Sequence, residues 1–224
     1  MDLRALIFDV DGTLAETEEA HRQAFNETFA EAGIDWSWSR DDYRVLLRTT
    51  GGKERMRAHR EAVGFGPSDA EIPALHAAKT ARYGQIIAEG GVPLRPGVEG
   101  LIRSARKAGL KLAVATTTNR PNVDALISAT LGQPADQVFD VIAAGDEVTA
   151  KKPAPDVYLL ALERLGLRPD HALAFEDSVP GLRSARAAGL KVVVTPSVYT
   201  AGEDFSTANW LMPDLCALWR LIGA

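Results

Sequence analysis

Short apolar runs alternate with longer amphipathic stretches along most of the chain. The first run, Ala5 to Phe8, contains no polar residue, as is typical of a strand buried on both faces of a parallel sheet. Similar, mainly apolar runs are Leu112 to Ala115, Phe139 to Ala143, Ala172 to Phe175 and Leu190 to Thr195. The stretches between them have helical spacing. The pattern predicts an α/β fold with a Rossmann-like parallel sheet and helical crossovers.

Apolar residues at helical spacing also predict the helices that connect the strands. They are Val98 to Ala108, Pro121 to about Leu131, Asp156 to Leu165 and Val179 to Ala188. Gly109 and Gly166 follow two of these stretches and are typical helix stops. A last helix, packed on the sheet, is predicted from Leu215 to Leu221.

The chain between the first two strands has only helical patterns. Thr17 is a candidate N-cap for a helix that runs to Ala32, with Gly33 as its stop. Its apolar face comprises Ala20, Ala24, Phe25, Thr28 and Phe29, and further helices are expected at Asp41 to Leu47, Lys53 to Val63 and Asp69 to Ala88. A block of roughly 75 helical residues between two strands predicts an inserted domain. We therefore predict a core of residues 1–15 and 93–224 and an all-helical cap of residues 16–92.

Composition narrows the class of protein. The 224 residues are 46% hydrophobic, enough for a large core, and the net charge of -5 argues against a general nucleic-acid or anionic-membrane binder. No long uncharged apolar run or signal segment is apparent, so we expect a cytoplasmic protein. We also expect it to be a monomer. Cys216 is the single cysteine, which excludes an internal disulfide and a multi-cysteine zinc site. Its apolar surroundings predict a buried structural thiol.

The first strand ends in two acidic residues. Asp9 and Asp11 follow Phe8 in the segment LRALIFDVDGTL, and in an extended chain they point to the same side, while Val10 points to the other. Open α/β sheets bind ligands at this end of their strands. The alternative is an Asp-Gly turn or a helix cap. Two carboxylates that lose solvation without a partner are unfavourable, which favours a bound cation.

Three later strand ends carry further polar groups. Thr116 follows the second strand, Lys152 opens the segment KPAP, and Glu176 and Asp177 follow the strand at Ala172 to Phe175. Each has an ordinary reading alone: threonine suits strands, lysine pairs precede helices, and aspartate caps helices. Together with the DxDGT motif, in this order, they resemble the haloacid dehalogenase superfamily, in its phosphatase and phosphomutase branch.

The resemblance implies phosphoryl transfer through an aspartyl-phosphate. Asp9 would be the nucleophile, and Asp11 would protonate the leaving sugar oxygen and later activate water. Thr116 and Lys152 would stabilise the transferred group. Mg²⁺ would be held by Asp9, Glu176 and Asp177 and by a backbone carbonyl near Asp11, since oxygen ligands suit this ion.

Within the superfamily, the sequence is most similar to the CbbY-type sugar-phosphate phosphatases. The similar segments are Ala15 to Glu18, Thr50 to Arg55, Ala78 to Thr80 and Thr116 to Asn122. They imply a small-molecule substrate, xylulose 1,5-bisphosphate, hydrolysed to xylulose 5-phosphate. Candidate substrate-binding residues are Glu18, His21, Gly51, Gly52, Lys53, Arg55, Lys79, Thr117, Thr118 and Asn122. The cations have an alternative reading as solvated helix surface, and His21 as a packing histidine.

Three other functions remain open at this point. A hexose-phosphate mutase resembling β-phosphoglucomutase shares the cap and both aspartates, and a phosphoglycolate-type phosphatase shares the chemistry. A catalytically silent binding protein would need neither. The intact set of Asp9, Asp11, Lys152 and Glu176 argues against silence, and release of inorganic phosphate separates hydrolase from mutase.

Overall fold

Six parallel strands form one sheet in the computed structural model, which describes residues 2–218. The strands are β1 Ala5–Phe8, β2 Lys111–Ala115, β3 Val141–Ala143, β4 Ala172–Glu176, β5 Lys191–Val194 and β6 Trp210–Leu211. Their order is β3-β2-β1-β4-β5-β6, with Phe8 of β1 opposite Val114 of β2 and Phe175 of β4. The predicted α/β class is confirmed. The register aligns the carboxyl ends of the three central strands, where the candidate groups lie.

Helices cover both faces of this sheet. They are α1 Glu18–Glu31, α2 Arg40–Leu46, α3 Gly52–Val63, α4 Ile72–Ala88, α5 Val98–Lys107, α6 Arg120–Leu131, α7 Ala135–Val138, α8 Asp156–Leu165 and α9 Val179–Ala187. Strand β1 alternates between two hydrophobic clusters: Leu6 and Phe8 pack in one, and Ala5 and Ile7 in the other. All four side chains are inaccessible to solvent. Burial on both faces explains why the first run contains no polar residue.

Residues 16–92, which are all described, contain helices and no strand. We call them the helical segment. A third hydrophobic cluster joins α1 to α4 and comprises Phe25, Phe29, Trp36, Trp38, Tyr43, Met56, Ile72 and, from outside the segment, Tyr199. The division of the chain into two domains stays a prediction. None of the described helices is long and apolar enough to cross a membrane.

Arg95 lies where the helical segment returns to the sheet. Its guanidinium donates hydrogen bonds to the carbonyl of Gly12 and, at 2.7 Å each, to those of Thr195 and Pro196. Its backbone N–H donates to the carbonyl of Leu14 at 2.8 Å. One side chain therefore fixes the loop after β1 against the end of β5.

The prediction for Cys216 is wrong, because this thiol is exposed. Residues 216–218 form a turn, and only Leu215 and Leu218 in this stretch are buried. A turn can bury its two ends while the residues between them face solvent, which an apolar run alone does not reveal. The rest of the predicted last helix, residues 219–221, lies outside the described residues.

Candidate active site

Asp9 and Lys152 meet at the carboxyl end of β1. The Lys152 ammonium lies 2.6 Å from Asp9 Oδ1 and 2.6 Å from Glu176 Oε1, and all three side chains are buried. Tyr158 from α8 donates its hydroxyl proton to the same Glu176 oxygen at 2.6 Å. Burial opposes the charge on Lys152, but the two carboxylates raise its pKa overall. Lys152 is therefore a fixed ammonium beside the Asp9 carboxylate.

A group of buried carboxylates surrounds this ammonium. Oxygen atoms of Asp9, Glu176 and Asp177 all lie within 4.8 Å of one another. Burial raises the pKa of Glu176 to about 7, and burial, followed by the charges of Asp9 and Glu176, raises the pKa of Asp177. Glu176 Oε2 is buried without a hydrogen-bond partner. One ammonium cannot satisfy three buried carboxylates, so a hard divalent cation with oxygen ligands fits the site.

Gly12 is required for this arrangement. Its φ of +80° favours glycine, and a Cβ at this position would lie 2.2 Å from Asp177 Oδ2. Any side chain here would push Asp177 away from Asp9. The glycine of the DGT motif therefore serves the acidic group directly.

Asp11 lies outside that group and belongs to a second buried network. Its Oδ1 accepts hydrogen bonds from the Thr17 hydroxyl at 2.6 Å and from His21 Nε2 at 2.9 Å, and His21 Nδ1 lies 2.5 Å from Lys79 Nζ. Burial opposes ionisation, but His21 and Thr17 lower the pKa of Asp11 to about 2. Burial, followed by the charge on Lys79, lowers the pKa of His21 to about 4. A neutral His21 thus donates to Asp11 and accepts from Lys79.

The predicted capping role of Thr17 is wrong. Thr17 precedes α1, yet its side chain makes no capping hydrogen bond. The hydroxyl is used by Asp11 instead, because a charge-assisted bond to a buried carboxylate is stronger than a cap. The buried face predicted for α1 is present.

The three threonines after β2 differ in their exposure to the cavity. Thr116 is buried, and its hydroxyl accepts a hydrogen bond from the Thr118 N–H at 3.2 Å. Thr117, Thr118 and Asn122 line the cavity described next, and Asn122 donates to the Thr118 hydroxyl at 2.7 Å. The structure places Thr117 and Thr118, rather than Thr116, on the cavity surface.

A cavity of about 740 Å³ connects the strand ends with the helical segment. Asp9, Asp11, Lys152 and Asp177 lie at the sheet end. The helical segment contributes the remaining candidates to the same lining: Glu18, His21, Gly51, Gly52, Lys53, Arg55 and Lys79. The structure therefore brings residues from distant parts of the sequence around one space large enough for a small phosphorylated molecule.

Arg55 is held rigidly at this wall. Its guanidinium donates to the Tyr43 hydroxyl at 2.8 Å and to the Leu46 carbonyl at 3.2 Å, and it is only 8% exposed. Lys53, two residues earlier on α3, is half-buried. The alternative that the cations are solvated helix surface does not apply to Arg55. It does not apply to Lys79 either, because that side chain is only 3% exposed.

Sequence analysis missed His76, Tyr43 and Tyr158. His76 lines the cavity one helical turn before Lys79, and a Cβ at Gly52 would lie 2.6 Å from its Nε2. Its spacing of three residues from Lys79 was an available signal. Tyr43 and Tyr158 lie in helices with ordinary apolar faces, which contain no sign that their hydroxyls meet Arg55 and Glu176.

Comparisons with known proteins agree with this geometry. A family model for haloacid dehalogenase-like hydrolases matches residues 3–189. CbbY of Rhodobacter capsulatus is 69% identical over 217 residues, covering 97% of this chain and 96% of the relative. CbbY from Rhodobacter sphaeroides in complex with phosphate is 53% identical, with a TM-score of 0.94 and 96% of both chains covered. A mutant of that protein, in complex with xylulose 1,5-bisphosphate, is 52% identical, with the same TM-score of 0.94 and 96% of both chains covered.

The chain belongs to the haloacid dehalogenase-like hydrolases, since the family model covers most of it and the four motif groups meet at one sheet edge. Within that family, it is a phosphatase of the CbbY type.

Glu18 provides a test of cavity electrostatics without substrate. Burial raises its pKa to about 7 from an ordinary 4.5, with Arg55 opposing the rise. A raised folded-state pKa means that stability is lost as pH rises from 4.5 to 7. Because the side chain is partly exposed, we expect Glu18→Gln to be more stable than wild type by about 1–2 kcal/mol at pH 8 and equal at pH 4. Urea unfolding in chelator at both pH values measures this, and an equal difference at both would contradict it.

Proposed function

We propose that the protein is a Mg²⁺-dependent phosphatase that hydrolyses xylulose 1,5-bisphosphate to xylulose 5-phosphate through a phosphoryl group carried on Asp9. The observation that carries the proposal is the buried contact of Asp9 with Lys152 beside Glu176 and Asp177, at the end of a cavity lined by a second set of cations. The xylulose 1,5-bisphosphate bound to the CbbY mutant of Rhodobacter sphaeroides supports the substrate.

Asp9 has the position of a nucleophile. Its Oδ1 is held by Lys152, while Thr13 donates to Oδ2 at 3.3 Å. The carboxylate attacks phosphorus as the bond from phosphorus to the sugar oxygen breaks, and Lys152 offsets charge on the transferring oxygens. Thr117 and Thr118 would supply further polar groups at this end of the cavity, and the Thr118 N–H donates to the Thr116 hydroxyl.

Asp11 has the position of the acid and base. In the structure, its low pKa makes it a carboxylate, so it needs a proton before it can donate one. The negative charge of a bound phosphate raises the pKa of a neighbouring carboxyl, which favours that uptake. Asp11 then protonates the sugar oxygen, and in the second step it takes a proton from the water that attacks the phosphoryl group on Asp9.

Asp9, Glu176 and Asp177 would hold the metal ion, with a backbone carbonyl near Asp11 as a further oxygen ligand. When bound, Mg²⁺ supplies neutralisation of charge on the phosphoryl oxygens. Titration calorimetry with Mg²⁺ alone tests the assignment independently of turnover, and Asp177→Asn should weaken the measured affinity.

We infer that Lys53 and Arg55 would bind the second phosphate of a bisphosphate. They lie at the start of α3, where free backbone N–H groups and the positive helix end favour an anion. Glu18, His21 and Lys79 line the same cavity and would meet the sugar. Binding energy from the remote phosphate can thereby bring the helical segment over the reacting group.

We expect Lys53→Ala and Arg55→Ala to lower kcat/KM for xylulose 1,5-bisphosphate by about tenfold each, the scale of one lost charged contact. Hydrolysis of 4-nitrophenyl phosphate, which has no second phosphate, should change little. Arg57→Ala is a matched control, because Arg57 lies on the same helix and pairs with Asp69 at 3.2 Å. Equal losses on both substrates would contradict the proposal that Lys53 and Arg55 bind a second phosphate.

A panel of phosphate-release assays tests the substrate. It compares xylulose bisphosphate, ribulose bisphosphate, phosphoglycolate and hexose 1-phosphates, each with and without Mg²⁺. Preferred release of one phosphate from xylulose bisphosphate supports the proposal. Conversion of a hexose 1-phosphate to its 6-phosphate without net phosphate release would instead assign a mutase.

The domain division follows from the same proposal. Residues 16–92 would form a cap that closes on a core of residues 1–15 and 93–224, with the cavity between them. The cytoplasmic location and the monomeric state stay predictions.

A further inference from the structure

Tyr199 connects the sheet to the hydrophobic core of the helical segment. It follows β5, yet it is 7% exposed and packs in a cluster whose other described members come from residues 25–72. Its ring meets the Tyr43 ring edge-on at 5.9 Å, and the Arg44 guanidinium lies 5.6 Å from its centroid. A residue from the loop after β5 thus occupies a core position of the helical segment.

The Tyr199 hydroxyl is also held in place. It donates to Glu19 Oε1 of α1, and the same carboxylate pairs with Arg22 at 3.0 Å and Arg40 at 3.2 Å. Through Tyr199, the loop after β5 therefore contacts both α1 and α2.

The other side of this loop is tied to the acidic group. Thr200 donates its hydroxyl proton to the Asp177 carbonyl at 2.7 Å and accepts a hydrogen bond from the Ser197 N–H at 2.8 Å. The Val198 N–H donates to Glu16 Oε2 at 3.3 Å. Neighbouring residues of one short loop thus contact Asp177, at the carboxyl end of β4, and the helical segment.

Tyr43 links Tyr199 to the cavity wall. The Tyr43 hydroxyl accepts a hydrogen bond from Arg55, and the guanidinium lies 5.0 Å from the centre of the Tyr43 ring. Arg55 and Tyr199 both line the cavity, and the Tyr199 ring also packs edge-on against Tyr43. Removing the Tyr199 ring would leave Tyr43 packed against Phe25 and Trp38 alone, and so would loosen the side chain that holds the Arg55 guanidinium.

We propose that Tyr199 is a positioning residue for the phosphatase reaction: it inserts into the helical segment, holds it at its working distance from Asp177, and fixes Arg55 through Tyr43. The effect on substrate binding rests on the proposed role of Arg55. The effect on the helical segment does not.

The test compares Tyr199→Ala, Tyr199→Leu and Tyr199→Phe, with Val198→Ala as the control because Val198 is 67% exposed. Hydrogen exchange by mass spectrometry reports on residues 40–46, and steady-state assays use xylulose 1,5-bisphosphate and 4-nitrophenyl phosphate. Tyr199→Leu retains apolar volume, so the comparison survives if the alanine variant fails to fold.

Tyr199→Ala and Tyr199→Leu should speed exchange in residues 40–46 and raise KM for the bisphosphate by about tenfold, with kcat for the aryl phosphate within about twofold of wild type. Tyr199→Phe retains the ring and should recover most of the affinity. Unchanged exchange, or faster exchange with an unchanged KM, would overturn the proposal. If wild type fails to hydrolyse the bisphosphate, the proposed substrate is wrong, and exchange alone then decides whether Tyr199 holds the helical segment.

Discussion

Asp9→Asn is expected to lower kcat by at least about 10⁴-fold, because an amide is nearly the same shape as the carboxylate but cannot act as the nucleophile. Substrate binding should persist, since the cavity wall with Lys53 and Arg55 is untouched. Phosphate release under single-turnover conditions measures the loss, and calorimetry with the bisphosphate measures binding. Retention of more than a few per cent of kcat would assign the nucleophile elsewhere.

The same substitution should leave the fold at least as stable in chelator. Burial raises the pKa of Asp9, although Lys152 opposes the rise, so the charged form of Asp9 is costly before a metal binds. A neutral amide removes one of three crowded acidic groups and leaves Lys152 paired with Glu176 at 2.6 Å. Thermal unfolding tests this, and a large fall in Tm would show that the lost activity reflects misfolding.

Lys152→Met should have the opposite effect on stability. Its ammonium is the shared partner of Asp9 and Glu176, and removing one partner of a buried ion pair costs about 3–5 kcal/mol. Activity should fall by at least about 10³-fold, because charge on the transferring group is no longer offset. Added Mg²⁺ should recover part of the stability by neutralising the same carboxylates.

Lys151→Met is the matched control for that experiment. The Lys151 ammonium donates to the carbonyls of Gly145 and Val148, so its loss leaves no buried carboxylate unpaired. We expect a loss of stability several times smaller than that of Lys152→Met in urea unfolding. Equal losses would mean that the buried ion pairs contribute little.

The strands and most helices could be predicted from sequence because their burial produces local patterns. A strand buried on both faces is a continuous apolar run, and a helix buried on one face has apolar residues at helical spacing. Strand β1 occupies its predicted range, and α8 begins and ends where its pattern does. The two-residue strand β6 is too short to carry a pattern. The prediction of a buried Cys216 is wrong because apolar composition does not distinguish a turn from a helix.

The candidate site could be predicted from the sequence only for residues that belong to a recognisable motif. Asp9, Glu176 and Asp177 lie at the carboxyl ends of β1 and β4, and Lys152 lies in the segment between β3 and α8, so the sheet brings them together. The alternative partner of Thr17 and the insertion of Tyr199 depend on contacts between residues far apart in sequence. Such contacts leave no periodic signal in either segment.

The most direct measurement locates the transferred phosphoryl group. Asp11→Asn enzyme with Mg²⁺ is mixed with labelled 4-nitrophenyl phosphate, whose good leaving group needs no acid, and the reaction is quenched in acid for peptide mapping. Without Asp11 to activate water, the account predicts that nitrophenol is released in a burst and that the label accumulates on Asp9, at close to one phosphoryl group per chain. A burst with no covalent label, or a label on any other residue, would contradict it.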